Sequence, residues 1–175
     1  MTDEKEQASK FVITSLEKKH DKEKFQCGIE ALDNYLKIQA SQDAKKNAAV
    51  TYVLTTESSE QVFGYYTLSS MGIFPGELPD ELIKKLPRYP MLPGILLGRL
   101  AVDASGQGKK IGVYLLLDAL KRSLSVSDQI GIVAIIVDAK NENAAMFYKK
   151  YGFIELPGNP FRLFLPLNTV RKLDL

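Results

Sequence analysis

A chain of 175 residues, 45% hydrophobic and 25% charged, suits one globular domain with a real core and excludes the disordered and fibrous classes. Its net charge of +2 is too slight to identify a nucleic-acid binder by itself, and no apolar run approaches the roughly 20 residues of a transmembrane helix. Residues 1–10 (MTDEKEQASK) are polar, without the apolar stretch of a signal peptide. They read as a flexible tail before a single domain over 11–175, and the expected compartment is the cytoplasm.

In chain order, Phe11 to Leu16 alternates weakly as a first strand. Ile29, Leu32, Tyr35, Leu36 and Ala40 recur at helical spacing and predict an amphipathic helix over 28–46. Ala48–Thr55 and Val62–Met71 read as strands of a hairpin turning at Ser58-Ser59. Pro75 to Pro93 is punctuated by prolines around a short helical pattern, DELIKKL. It reads as a surface insertion that shapes a site, and RYPMLPG within it is expected to stay out of any central strand. Ile95–Asp103 and Ile130–Val137 are near-continuous apolar runs, hence buried strands. Between them Val113, Leu116, Leu117, Leu120 and Leu124 mark a long helix; Ala144, Phe147, Tyr148 and Tyr151 mark another, before a last strand over Arg162–Pro166.

Strand, helix, strand in the second half makes a crossover unit with its two strands parallel. The first half predicts antiparallel strands. The sum is an α/β fold with a mixed, mostly antiparallel sheet and helices on both faces.

Side-chain chemistry is sparse. Cys27 is the single cysteine and His20 the single histidine, so no internal disulfide and no Cys/His zinc site can form; no metal is expected. A Cys27–His20 nucleophile pair is formally available, set against a small buried thiol in a charged loop. Basic residues come in pairs, including Lys45-Lys46, Lys84-Lys85, Lys109-Lys110 and Lys149-Lys150, which as they stand describe a solvated surface.

The informative segment is ILLGRLAVDASGQGKKIGVYLLLDAL. A strand ends at Asp103, a short loop turns back, and a helix opens near Lys110. Main-chain N–H groups at a helix start lack internal partners and sit at the positive end of the dipole, a ready anion site suited to a pyrophosphate. Gly108 and Gly112 would let phosphates come close. An ordinary strand-to-helix turn reads the same way, so the loop alone does not decide.

Here the chain resembles the GNAT superfamily of acetyltransferases, from about Phe25 to Pro166. Gln107-Gly108-Lys109-Lys110-Ile111-Gly112 matches the superfamily's coenzyme A signature, Gln/Arg-x-x-Gly-x-Gly/Ala, with one departure: Lys110 stands where the first motif glycine is usual. The resemblance implies acetyl-CoA as co-substrate. It also implies a fourth strand, Leu100-Ala101-Val102, whose backbone pairs with the pantetheine arm and which a bulge splays from the fifth strand. VDAKNENAAMFYKKYGF is similar to the family's closing motif and places Asn141 among the coenzyme-binding residues. It makes Tyr148 the acid that protonates the departing thiolate; core packing is the competing reading of that tyrosine.

FQCGIEALDNYLKIQASQDAKK, VFGYYTLSS, KLPRYPMLPGILLGRLAVD and RLFLPL further resemble the acetyltransferase toxins of bacterial toxin–antitoxin pairs. That resemblance implies an aminoacyl-tRNA substrate acetylated on its α-amine, a halt to translation and a ribbon-helix-helix antitoxin encoded nearby; it leaves a homodimer open. Arg88, Tyr89 and Arg99 are the candidate substrate contacts, Arg99 with the alternative of pairing a buried acid. Asp103 either helps as a base or caps its loop. The rival functions are an acetyltransferase for a small amine or a peptide N-terminus, and a degenerate GNAT fold that binds without catalysis.

Overall fold

The structure is a computed structural model that describes residues 10–175. The expected tail lies, Lys10 apart, outside the described residues. Seven strands form one sheet in the order β1-β2-β3-β4-β5-β7-β6. They are β1 (Phe11–Ser15), β2 (Val50–Thr56), β3 (Ser59–Ile73), β4 (Leu92–Val102), β5 (Ala134–Asp138), β6 (Ile154–Leu156) and β7 (Asn159–Pro166). Among the strands of the described residues only β4 and β5 pair in parallel, joined by α4 (Ile111–Ser127) as the crossover.

Alternation along the strands sorts side chains to two faces. Leu54, Tyr66, Ile135 and Val137 meet Leu115, Leu116 and Leu120 of α4, and Ala145 and Tyr148 of α5 (Glu142–Lys150), in the main core. Their neighbours Val53 and Tyr65 turn the other way, against Leu32, Tyr35 and Leu36. Ala134 and Ile136 share that second face with Leu78, Leu82 and Leu86 of the proline-rich insertion. Helices thus cover both faces, as expected.

The helix predicted over 28–46 runs as α1 (Glu30–Asn34), a π-helical turn (Tyr35–Gln39) and α2 (Ala40–Lys45). The insertion holds α3 (Asp80–Ile83). Two expectations need correction, and two short elements were not predicted. Leu92-Pro93-Gly94 belong to the central strand β4 after all. Pro93 is tolerated because it sits at the strand's start, where its carbonyl accepts from Val133 and its missing donor falls before β5 begins. The apolar run from Ile130 becomes strand only at Ala134, and Ile130 is exposed. The short β6 and the closing α6 (Leu167–Arg171) carried too little periodicity to be read.

Two features of β4 make room for a site. It pairs with β5 only from Gly94 to Leu97, and its last five residues run on beside β3 alone. It also carries an extra residue: Thr67 lies opposite Arg99 while Leu68 lies opposite Leu97, so Gly98 is a bulge. One added residue reverses the side-chain alternation. Ile95 and Leu97 face the main core, and beyond the bulge Leu100 and Val102 do so too, while Ala101 joins the other face.

Candidate active site

Asp103 closes β4 and organises the loop that follows. Its carboxylate accepts from the Gln26 amide at 2.8 Å, the Ser105 amide at 3.0 Å and the Ser105 hydroxyl at 2.5 Å. Burial pushes its pKa up, but these donors outweigh that and hold it below the ordinary value. All its capacity goes into the turn, which favours the capping role over that of a base.

The loop then makes two left-handed steps, at Gly108 (φ +81°) and Lys110 (φ +61°, ψ +20°), before α4 begins. Glycine takes such a conformation freely; a lysine pays roughly 1–2 kcal/mol. The departure from the family motif is therefore a residue held in the backbone conformation the usual glycine would supply. The amides of Gly106, Gln107 and Lys109 are spent on the turn, whereas among the described residues no main-chain or side-chain acceptor serves those of Gly108, Lys110, Ile111, Gly112 and Val113. These face a cleft of about 360 Å³ walled by Val102, Gln107, Lys110, Gly112 and Phe147. Unpaired amides at the start of a long helix suit a diphosphate.

Beside it a narrow cavity of about 50 Å³ opens where β4 leaves β5, lined by Leu32, Gly98, Arg99, Leu100, Asn141 and Tyr148 among others. The two spaces share β4 and α5 as walls. Tyr148 is buried, its ring edge-on to Phe147. Among the described residues its hydroxyl has no hydrogen-bond partner, yet it is not one of the buried, unpaired polar atoms, so it opens onto the cavity. Burial pushes its pKa well above the ordinary value of 10, so the phenol keeps its proton at neutral pH. The ring is thus packed, and the hydroxyl is left without a partner in the described fold.

Among the described residues Arg99 has no buried acid as partner and makes no ion pair or hydrogen bond; its guanidinium lies over the Tyr35 ring, 3.5 Å from the centroid. Asn141 lines the cavity, but its side chain is engaged as the N-cap of α5, accepting from the Ala144 amide at 2.9 Å. Ala101 points away from both spaces, and Lys109 stands exposed outside the cleft lining. Arg88 and Tyr89 are exposed on the insertion and line neither space.

Asp138, on the cavity wall, was not singled out in the sequence. Arg162 donates to it through Nε at 2.7 Å and Nη2 at 2.9 Å, fixing the end of β5 to β7. Cys27 and His20 form no pair: Sγ donates to the Ile29 carbonyl, and His20 Nδ1 accepts from the Glu17 amide. Burial pushes the Cys27 thiol up to about 11, the reverse of an activated nucleophile. Among the described residues no cluster of three or more His, Cys, Asp or Glu could hold a metal ion, and no helix is long and apolar enough to cross a membrane.

Residues 91–163 match the family described as "Acetyltransferase (GNAT) domain". A probable toxin, TacT, of Sinorhizobium fredii is 32% identical over 95% of this chain and 96% of its own. The chain belongs to the GNAT acetyltransferases. Its GNAT fold is similar to that of the toxin AtaT complexed with acetyl-methionyl-tRNAfMet, with 35% identity, a TM-score of 0.86, and 93% of this chain and 98% of that one covered. It is also similar to a tyrosine-to-phenylalanine mutant of AtaT bound to the C-terminus of the antitoxin AtaR and acetyl-CoA. There identity is 31%, the TM-score 0.77, and coverage 93% and 96%. This GNAT protein is an N-acetyltransferase whose relatives include toxins.

Proposed function

We propose that the protein transfers the acetyl group of acetyl-CoA to the α-amine of an aminoacyl-tRNA. The observation that carries this is the set of unpaired amides at Gly108 and from Lys110 to Val113, continuous along β4 and α5 with the cavity holding the Tyr148 hydroxyl. The fit to the coenzyme is direct: a diphosphate takes the amides, and the unpaired edge of β4 at Leu100, Ala101 and Val102 offers main-chain groups to an extended amide arm. Gln107, Lys109, Lys110, Ile111 and Gly112 complete that binding loop, and Asn141 serves by setting the start of α5.

Acetyl-CoA brings a thioester, whose carbonyl the amine attacks. Tyr148 holds a proton for the sulfur as negative charge gathers there. An α-amine with a pKa near 8 is partly neutral at pH 7, so no strong base is required. The narrow cavity admits an amine and its first carbons, which fits an acceptor presented at the end of a larger molecule. Arg99 is on the wall of that cavity, and Arg88 and Tyr89 are candidates for contact with the body of the RNA. The toxin relatives support the same substrate, loss of the free amine stops elongation, and a ribbon-helix-helix antitoxin is the expected partner in the cytoplasm.

Incubation with labelled acetyl-CoA and total charged tRNA tests this. Label is expected in the aminoacyl-tRNA fraction, base-labile with the ester. Label in small amines alone would assign the protein to the small-amine reading.

A further inference from the structure

We propose that Tyr35 is a positioning residue that holds Arg99 with its hydrogen-bonding edge presented to a phosphate of the acceptor's 3′ end. This rests on the aminoacyl-tRNA reading above.

Three observations converge on it. The Gly98 bulge sets the alternation of β4 so that Arg99 turns toward the α1–α2 face, out of the main core. The π-helical turn, a rare geometry, begins at Tyr35 and brings its ring under the guanidinium at 3.5 Å. The ring itself is fixed on two sides. Its hydroxyl donates to Asp43 Oδ2 at 2.8 Å, while Gln39 donates to Asp43 Oδ1 at 2.9 Å, and Tyr65 stacks with it at 6.3 Å, 16° from parallel.

A guanidinium stacked on a ring spends its face, leaving its five in-plane N–H donors free. Arg99 is half-buried, yet none of those donors has an acceptor within the described protein. A half-buried cation on the wall of the Tyr148 cavity, gripped by its face and idle at its edge, is built to meet an anion that arrives with the substrate. The diphosphate site lies across β4 at the loop, so the anion here belongs to the acceptor. At the 3′ end of an RNA that anion is a phosphodiester.

The test compares charged tRNA with a small amine as acceptors for the same enzyme. Tyr35→Leu should raise KM for charged tRNA about three- to thirtyfold, the span of a partly desolvated cation–π contact, with kcat and small-amine acetylation unchanged. Tyr35→Phe keeps the face and should stay within about threefold of wild type. Tyr35→Leu added to Arg99→Ala should raise KM no further, since the pair acts as a unit. Should Tyr35→Leu fail to fold, Arg99→Lys carries the test: an ammonium keeps the charge but cannot stack flat and present a fork, so KM for charged tRNA should rise at least about threefold over wild type, toward that of Arg99→Ala. Effects of Tyr35→Leu and Arg99→Ala that add, equal losses on both acceptors, or an Arg99→Lys enzyme with wild-type KM would overturn the coupling while the tRNA reading stands. A wild-type enzyme that labels no tRNA overturns both.

Discussion

Tyr148 and Phe153 stand edge to face, ring centroids 5.5 Å apart and planes at 63°, so the tyrosine ring is anchored while its hydroxyl opens on the cavity. Removing the hydroxyl alone therefore separates chemistry from packing. Tyr148→Phe should lower kcat about 10²- to 10⁴-fold, the usual worth of a positioned acid. Its melting temperature and coenzyme affinity should match wild type. A kcat loss below tenfold would hand the proton transfer to water.

Gly112 occupies the second position of α4. A Cβ there would meet Phe147 and Val102 at 3.7 Å, ordinary contact distance. Gly112→Asp should thus fold, helped by an acidic side chain in the first helical turn. It also places a negative charge where a diphosphate would sit. A like charge within a few ångströms costs about 1 kcal/mol even in water, so calorimetry should show acetyl-CoA binding weakened about fivefold or more. Unchanged affinity in the folded variant would remove the loop from the site.

Much of this loop was legible because its signals are local: an apolar strand, Gly108 and a helical stripe all fall within one short stretch. The conformation of Lys110 was not, since a residue type reports only a preference for φ. Gly98 did carry a sign, because an isolated glycine in a strand often marks a bulge. The consequence, a reversed alternation that swings Arg99 toward Tyr35, depends on pairing with β3. The Arg162–Asp138 pair and the Arg99–Tyr35 stack join distant segments, and no periodicity along one strand or helix encodes such meetings.

Lys110 offers a test of strain against charge. Lys110→Ala keeps the left-handed backbone and its cost, whereas Lys110→Gly relieves it. The glycine variant should be more stable than the alanine one by about 1 kcal/mol, less the entropy glycine adds to the unfolded chain. Both lose the ammonium, so both should bind acetyl-CoA somewhat more weakly than wild type. Equal melting temperatures would mean that the loop relaxes elsewhere.

Asp103 separates cap from base. Asp103→Asn keeps one oxygen acceptor but sets an NH2 against the donors at the other, the Gln26 amide or the Ser105 pair, and should cost about 1–3 kcal/mol of stability. Its kcat should change little. The folded carboxyl titrates below its unfolded value of about 3.9. Its contribution is therefore present above that pH and lost as pH falls through the lower folded pKa, so wild type and variant should converge in stability in strong acid. A large kcat loss at unchanged stability would restore the base.

Salt separates an RNA acceptor from a small amine. Among the described residues the exposed dibasic pairs at Lys45-Lys46, Lys84-Lys85 and Lys149-Lys150 lack an ion pair such as engages Arg122 with Asp118, save Lys149, which pairs with Glu155. Cations free to meet phosphates release counterions on binding. With about three such contacts, affinity for charged tRNA should fall roughly 20- to 40-fold between 50 and 200 mM salt. Arg88→Ala should lower the slope of that dependence by about one contact, acting equally on all tRNAs because phosphates carry no sequence. Small-amine turnover should be flat over the same range, since the acceptor then brings no phosphate. The measurement is KM for charged tRNA against salt, with coenzyme saturating at every point so that its own diphosphate does not contribute. A flat response for tRNA would remove the basic surface from recognition, and a slope unchanged by Arg88→Ala would remove the insertion from it.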